Sequence, residues 1–255
     1  MIRSSFIFLE RISHKMEQKL WQAGIIDWKS FIEAKEVPGI SLKRKQYYCR
    51  KLQEARKHLM DHDSGYFAGR LPSSEAWRLY EHFSDDCVFL DIETGGYYGD
   101  ITVVGMYDGN EMMTLVKGKG LDKHNMKMIL SRYKLLVTFN GQSFDVPVIN
   151  RYFNTIVPQI PHLDLRFPLA RLGFSGGLKN IEKALGIARS SSVGGMSGDD
   201  AVSLWHEYRA TGDESYLDSL VEYNSEDAMN LKPLAEFVSS QMRKNFVDAF
   251  MPAHL

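Results

Sequence analysis

The chain has few of the features that mark secreted or membrane-embedded proteins. It contains two cysteines in 255 residues, and Cys87 lies inside an apolar run that predicts a buried strand, so we expect no disulfide framework and a reducing compartment. The first apolar run ends at Glu10 after four residues, which is too short for a signal peptide. No run approaches the length needed to cross a bilayer. The sequence therefore predicts a cytoplasmic protein.

Neither positive nor negative residues are in large excess overall, because the net charge is −1. The two kinds of residue are nevertheless unevenly distributed along the chain. The first 60 residues carry 13 Lys and Arg against 6 Asp and Glu, and the remainder carries 18 against 26. The hydrophobic content of 44% is enough for a full core. We therefore expect a basic leader before an acidic body, and the acidic residues are either a solvated surface or ligands of metal ions.

The basic leader has the apolar spacing of three short helices between residues 12 and 58. The turn at 37–41 and the helix start after it resemble the hairpin of helix-hairpin-helix modules, in which backbone N–H groups take a phosphate, and residues 11–13 resemble a poorer copy. Both lack the usual second glycine, and a helical bundle with a basic solvated face is an equal alternative. Residues 62–72 have the composition of a linker. We predict a helical, nucleic-acid-binding domain at 1–70 and a second domain at 71–255.

The second domain begins with an apolar run that ends in two acids. Residues 88–90 are Val, Phe and Leu, which suits a strand covered on both faces. Asp91 and Glu93 follow, and on a strand they point the same way. Two such carboxylates repel each other unless a positive group lies between them. The pattern indicates a divalent metal at the end of this strand, and a pair of solvated acids is the alternative.

The following residues predict an α/β domain. Apolar runs at 101–107 and 112–116 flank Asp108-Gly109-Asn110, a hairpin signal. A helix, a buried strand at 135–139 and a short strand at 162–165 come next, and then helices near 167–172, 178–185, 200–208 and 216–238. This order predicts a mixed five-stranded sheet flanked by helices. The Ser- and Gly-rich segment 189–198 predicts a mobile surface loop.

Two further motifs lie at positions from which their side chains could join a catalytic site. Asn140-x3-Phe144-Asp145 follows the second buried strand, and Tyr223 and Asp227 are four apart and share a face of the last helix. Asp145 is alternatively the N-cap of the helix that Pro147 begins. Tyr223 and Asp227 are alternatively a hydrogen-bonded pair on that face.

Together the three motifs resemble those of the DEDDy-type 3′-5′ exonucleases, members of the ribonuclease H-like (DnaQ-like) superfamily. The helical leader further resembles that of bacterial YprB-type members. The resemblance implies a ribonuclease H-like fold and two Mg²⁺ or Mn²⁺ ions, a pair that supplies the charge neutralisation and the hydroxide that phosphodiester hydrolysis needs. It also implies a set of four metal ligands, which are Asp91, Glu93, Asp145 and Asp227. It further implies that Tyr223 orients the attacking water.

The same resemblance implies a substrate-binding set. Thr94 and Gly95 would lie near the terminal 3′ hydroxyl, Asn140 would brace the loop or contact substrate, and Phe144 would pack beneath the site. We expect a structural role for Asp164. For Lys179 we expect a solvated position at a helix start, with a contact to substrate phosphate as the alternative.

The primary functional hypothesis is a two-metal 3′-5′ exonuclease that removes nucleotides from single-stranded DNA or RNA ends. A catalytically silent nucleic-acid-binding scaffold of the same fold is one alternative, although a binder has no need of four acids that repel each other. A structure-specific endonuclease is another, and it would require a groove open at both ends.

Overall fold

A mixed sheet of five strands forms the centre of the computed structural model, which describes residues 1–96 and 100–251. The strands run in the spatial order β3-β2-β1-β4-β5. Their bounds are β1 Cys87–Thr94, β2 Ile101–Tyr107, β3 Met112–Val116, β4 Leu135–Thr138 and β5 His162–Asp164. This is the sheet that the sequence predicts. The predicted turn between β1 and β2 includes residues 97–99, which lie outside the described residues.

The strand directions place the end of β1 at the middle of the sheet. β1 to β3 form an antiparallel meander, with Asp91 opposite Gly105 of β2, and the Asp108 carboxylate accepts N–H bonds in the turn between β2 and β3. β4 and β5 run parallel to β1. The carboxyl ends of β1, β4 and β5 therefore meet at one edge, where the first two sequence motifs lie.

Helices cover both faces of the sheet and form the N-terminal region. Their bounds are α1 His14–Gln22, α2 Trp28–Glu33, α3 Leu42–Met60, α4 Trp77–Phe83, α5 Lys123–Leu130, α6 Asp145–Phe153, α7 Arg166–Arg171, α8 Leu178–Leu185, α9 Gly198–Thr211 and α10 Glu214–Phe250. α3 has 19 residues and is longer than the short helix expected. α10 has 37 residues and continues past Pro233, beyond the predicted end near residue 238.

The alternation of side chains along β1 separates two apolar clusters. Val88, Leu90 and Ile92 pack with residues of α5 and α6 on one face of the sheet. Cys87 and Phe89 face the other side and share a cluster with α4, α10 and the N-terminal helices. Because Asp91 and Glu93 have the parity of Phe89, they lie on the face that α10 covers.

The N-terminal helices are joined to the rest of the chain by buried charges. Glu17 of α1 is 1% exposed and pairs with Arg78 of α4 at 2.9 Å. Arg78 also pairs with Glu75 at 2.7 Å. In the segment 62–72, which the sequence predicts as a linker, Tyr66 and Phe67 are buried. Among residues 1–96 and 100–251, no helix combines the length and apolar content of a bilayer-spanning segment.

Candidate active site

Three acids from β1 and α10 converge at the middle of the sheet. Three carboxylate oxygens, one each from Asp91, Glu93 and Asp227, lie within 4.8 Å of one another. β1 contributes two of them because residues two apart on a strand share a face. α10 contributes the third because it packs across β1 and β2. Acids 134 positions apart in the sequence thus form one cluster.

Asp145 lies close enough to act electrostatically on this cluster. It is the first residue of α6 and is buried, and its N-cap is Phe144, so the alternative reading of Asp145 as the N-cap is wrong. Burial raises the pKa of Asp145 to about 7, although the backbone N–H groups of Asp145 and Ile92 favour its charged form. Asp145 and Asp227 also raise the pKa values of Asp91 and Glu93.

The cluster is short of positive charge. Burial, followed by the charges of Asp227 and Asp145, raises the pKa of Asp91 well above its usual range. The same causes raise the pKa of Glu93 to about 8, despite the opposing charge of Lys179. Carboxylates held in this way bind protons tightly unless a cation joins them. Hard divalent cations such as Mg²⁺ and Mn²⁺ prefer oxygen ligands of this kind, so the donor set fits such an ion.

Tyr223 lies one turn before Asp227 and borders the acids. It is 5% exposed and packs with Val103 and Leu220. Burial, together with the negative charges of Asp227, Glu93 and Asp91, raises the pKa of its hydroxyl. The hydroxyl is therefore protonated at neutral pH and able to orient a water molecule.

Lys179 is placed differently from the expectation of a solvated lysine. Its Nζ lies 4.4 Å from the centroid of the Tyr223 ring. Within the described part of the chain, this nitrogen is buried without a hydrogen-bond partner. Burial lowers the pKa of Lys179, while the charge of Asp227 opposes that shift. The prediction of a solvated side chain is therefore wrong, and Lys179 contributes positive charge beside the acids.

Arg189 belongs to none of the sequence motifs, yet it contacts the cluster directly. Its guanidinium forms an ion pair with Asp227. It also donates two hydrogen bonds to Glu182 of α8, at 2.6 Å and 2.8 Å. Ser190 is tied to α10 through its N–H, which donates to Glu226 at 2.8 Å. The loop that composition predicts as a surface segment thus supplies a buried cation.

A second missed residue is Asn224, which lies within the α10 motif, three positions before Asp227. It is fully buried, and its Nδ2 donates to Oδ2 of Asp91 at 2.8 Å. Gly105 makes room for it, because a Cβ at Gly105 would lie 2.4 Å from Oδ1 of Asn224. A glycine inside an otherwise apolar strand is a sequence signal for such a close approach.

The loop after β4 is held by an acid at the end of β5. Asp164 accepts hydrogen bonds from the N–H groups of Asn140 at 2.7 Å and Gln142 at 3.0 Å, which confirms the structural role expected for it. Asn140 adopts φ 63° and accepts a bond from Arg166 at 2.6 Å. Phe144 is 43% exposed, so the expectation that it packs beneath the site is wrong.

Thr94 and Gly95 close the end of β1 beside the acids. The register with β2 shifts between Glu93 and Thr94. Gly95 is buried, and its N–H donates to the carbonyl of Asp100 at 3.0 Å. A Cβ at Gly95 would lie 3.1 Å from Oδ2 of Asp100, so a larger residue would displace that side chain.

Solved structures of other proteins are similar to this chain. Among solved structures, the chain is similar to Brucella melitensis NrnC, with 20% identity over 65% of this chain and 78% of that chain and a TM-score of 0.47. It is also similar to Escherichia coli RNase D, an exoribonuclease involved in structured RNA processing, with 18% identity over 69% of this chain and 47% of that chain and a TM-score of 0.42. No curated protein matches.

A comparison with protein families matches residues 88–239 to RNase_H_2, described as RNase_H superfamily. The matched range begins in β1 and ends within α10, and so includes the three acids of the cluster, together with Asp145 and Tyr223. It covers more than half of the 255 residues. The chain therefore belongs to the RNase_H superfamily.

Proposed function

We propose that this protein is a metal-dependent 3′-5′ exonuclease that hydrolyses phosphodiester bonds at single-stranded DNA or RNA ends. The observation that carries the proposal is the convergence of Asp91, Glu93 and Asp227 within 4.8 Å. Electrostatic coupling adds Asp145 to the set. The Tyr in the α10 motif supports the DEDDy subclass, and the helical leader supports a YprB-type member.

These four acids would hold two Mg²⁺ or Mn²⁺ ions. Such a pair supplies charge neutralisation at the phosphate, a hydroxide at neutral pH and stabilisation of the leaving oxygen. Asp91 is affected by the charges of both Asp227 of α10 and Asp145 of α6, and it would contact both ions. Glu93 and Asp227 would complete one ion site, and Asp145 would complete the other.

The remaining side chains position the substrate and the water. Tyr223 stays protonated because burial and the neighbouring acids raise its pKa, so its hydroxyl orients the attacking water without removing its proton. Lys179 offers a positive charge to the phosphate. Exposed Phe144 offers a face on which a terminal base stacks, an interaction that tolerates any sequence. Thr94, Gly95 and Asn140 border the 3′ end.

An oligonucleotide assay tests this function. Full-length protein with Mn²⁺ is incubated with 5′-labelled single-stranded DNA and RNA, and the expected product is a ladder that shortens from the 3′ end. Asp91→Asn should abolish the ladder, whereas Asp218→Asn, at an exposed position of α10, should not. Hydrolysis of a 3′-blocked strand would instead indicate an endonuclease. Binding without hydrolysis would indicate a silent scaffold.

We further propose that residues 1–70 form a nucleic-acid-binding region with residues 71–255 as the nuclease region. Lys43, Arg50 and Lys57 are seven positions apart and share one exposed face of α3. Among the residues that the structure describes, none of the three has an ion-pair partner. An unpaired basic stripe of this kind suits a phosphate backbone.

Salt dependence of binding tests the role of this stripe. With catalysis blocked by Asp91→Asn, the affinity for an oligonucleotide is measured at several salt concentrations. Replacing Arg50 and Lys57 by Gln should make the slope of log K against log salt shallower by about 0.7 for each lost phosphate contact of a single strand. Replacing exposed Lys127 of α5 is the matched control. An unchanged slope in the α3 variant would contradict the proposal.

A further inference from the structure

Arg189 holds the acid cluster through one oxygen atom of one carboxylate. The Arg189 side chain is 7% exposed, and its Nη2 forms an ion pair with Oδ1 of Asp227. Oδ1 of Asp227 is buried, and within the described residues no donor other than Arg189 contacts it. The guanidinium is therefore the group that faces this oxygen. A metal ion in the cluster would then bind the other carboxylate oxygen of Asp227.

The guanidinium cannot easily move away from this position. Glu182 is 1% exposed and accepts two of its N–H bonds, at 2.6 Å and 2.8 Å. Such a bidentate pair fixes the plane of the guanidinium as well as its place. The next residue, Ser190, is fastened to α10 by bonds to Glu226 at 2.8 Å and Glu222 at 3.0 Å.

A second acid of the cluster is restricted in a similar way. Nδ2 of Asn224 donates to Oδ2 of Asp91 at 2.8 Å. Two of the three clustered carboxylates thus have one oxygen engaged by a protein donor. A site of this kind offers few carboxylate oxygens and leaves the remaining positions to water or to substrate.

We infer that Arg189 is a metal-specificity-determining residue, which limits Asp227 to one ligand oxygen and thereby favours Mg²⁺ and Mn²⁺ over Ca²⁺. Mg²⁺ takes six ligands in octahedral geometry and keeps several waters, whereas Ca²⁺ takes six to eight oxygens and accepts bidentate carboxylates. The inference rests on the proposed metal site and concerns its selectivity. It predicts that freeing Oδ1 of Asp227 improves the binding of the larger ion most.

The ratio of two affinities provides the test. Dissociation constants of Mn²⁺ and Ca²⁺ are measured by titration calorimetry on the full-length wild type and on Arg189→Gln. We expect the Ca²⁺ affinity relative to Mn²⁺ to rise about tenfold in the variant, equivalent to about 1.4 kcal/mol. Because both ions are measured on one preparation, a partly unfolded fraction lowers both signals without changing the ratio.

Lys179→Gln is the matched control, because it removes the same unit charge beside the acids without freeing a carboxylate oxygen. Both affinities should change together, and the ratio should stay at the wild-type value. Arg189→Lys, which keeps the charge but lacks the planar fork, should shift the ratio by less than Arg189→Gln. It also serves as the test if the Gln variant does not fold.

The outcomes separate this inference from the proposed function. If the wild type binds Mn²⁺ and the ratio in Arg189→Gln equals that of the wild type, the selectivity role is wrong and the metal site stands. An equal shift of the ratio in Lys179→Gln would also overturn it, because charge alone would then be the cause. If the wild type binds neither ion, both the metal site and the inference fail.

Discussion

Two groups of buried charges in this molecule have opposite electrostatic balance. One joins α1 to α4, where Arg78 lies between Glu17 and Glu75 at 2.9 Å and 2.7 Å. Burial alone would raise the pKa of Glu75, yet the charges of Arg78 and Arg171 hold it below its usual range. The other is the acid cluster, where burial and neighbouring acids raise the pKa values of Asp91 and Glu93.

The difference distinguishes a structural network from a binding site. In the first group each carboxylate has a guanidinium partner, so the charges are satisfied within the protein. In the second, the acids outnumber the cations that reach them, and that imbalance lowers stability unless a ligand supplies positive charge.

The largest expected effect is on catalysis. Asp91→Asn keeps the shape of the side chain and removes one charge from the cluster. We expect the hydrolysis rate of a 5′-labelled oligonucleotide in Mn²⁺ to fall by at least about a thousandfold, or about 4 kcal/mol, with the melting temperature maintained. A loss of less than tenfold would show that the cluster is not the reaction centre.

Removing the shared cation of the structural network should affect stability instead. Arg78→Met leaves Glu17 and Glu75 buried beside a neutral side chain. We expect the free energy of unfolding in urea to fall by about 3–5 kcal/mol. The Mn²⁺ dissociation constant of the folded fraction should be unchanged. A loss below about 1 kcal/mol would mean that water replaces the guanidinium without cost.

His162, a partly buried histidine, offers an intermediate case, because no acid within residues 1–96 and 100–251 is in hydrogen-bond contact with it. Nε2 of His162 lies 2.8 Å from Oγ1 of Thr138, and burial lowers its pKa from 6.5 to about 4. The unfolded state binds the proton more tightly, so stability is lost as pH falls from about 6.5 to about 4. His162→Asn should reduce the loss of unfolding free energy between about pH 6.5 and about pH 4 by about 3 kcal/mol. Urea unfolding across that range measures it. An equal pH slope in both proteins would exclude His162 as its source.

The acid cluster should show the opposite pH dependence. The pKa of Glu93 rises from 4.5 to about 8 on folding, so the folded state binds the proton more tightly. Stability of the metal-free protein therefore falls as pH rises through that range. Glu93→Gln should raise the free energy of unfolding at pH 8 in EDTA by about 2 kcal/mol. Glu236→Gln is the control outside the cluster, and a destabilised Glu93→Gln would contradict the account.

The smallest effect concerns the support of Asp91. A methyl group at Gly105 would lie 2.4 Å from Oδ1 of Asn224 and 2.9 Å from Cε of Met112. Gly105→Ala should displace Asn224 from Asp91, lowering stability by about 1–2 kcal/mol and slowing hydrolysis. Gly195→Ala, where a Cβ meets nothing within 4 Å, is the matched control. Wild-type activity in Gly105→Ala would show that Asn224 does not position Asp91.

Local patterns explain which parts of this account could be predicted from sequence. The continuous apolar run at 88–90 predicts the buried strand, and the two-residue spacing of Asp91 and Glu93 predicts their common direction. The spacing of Tyr223 and Asp227 predicts their shared face on α10. These features depend on residues a few positions apart. The order of strands and helices then predicts the sheet, because few topologies satisfy it.

Contacts between distant segments explain what could not be predicted. Arg189 pairs with both Glu182 and Asp227 only because α8 and the following loop pack against α10. The position of the buried Lys179 Nζ over the Tyr223 ring depends on the same packing. Composition marks a Ser- and Gly-rich segment as a loop, but it does not indicate which of its side chains turn inward.

Titration of the metal-free protein with Mn²⁺ tests the central claim most directly. Calorimetry at pH 8 compares the wild type, Asp227→Asn and the control Asp218→Asn. The account predicts saturable binding of more than one ion per chain in the wild type and control, and binding at least about tenfold weaker in Asp227→Asn. Absence of binding in the wild type, or equal binding in all three proteins, would contradict it.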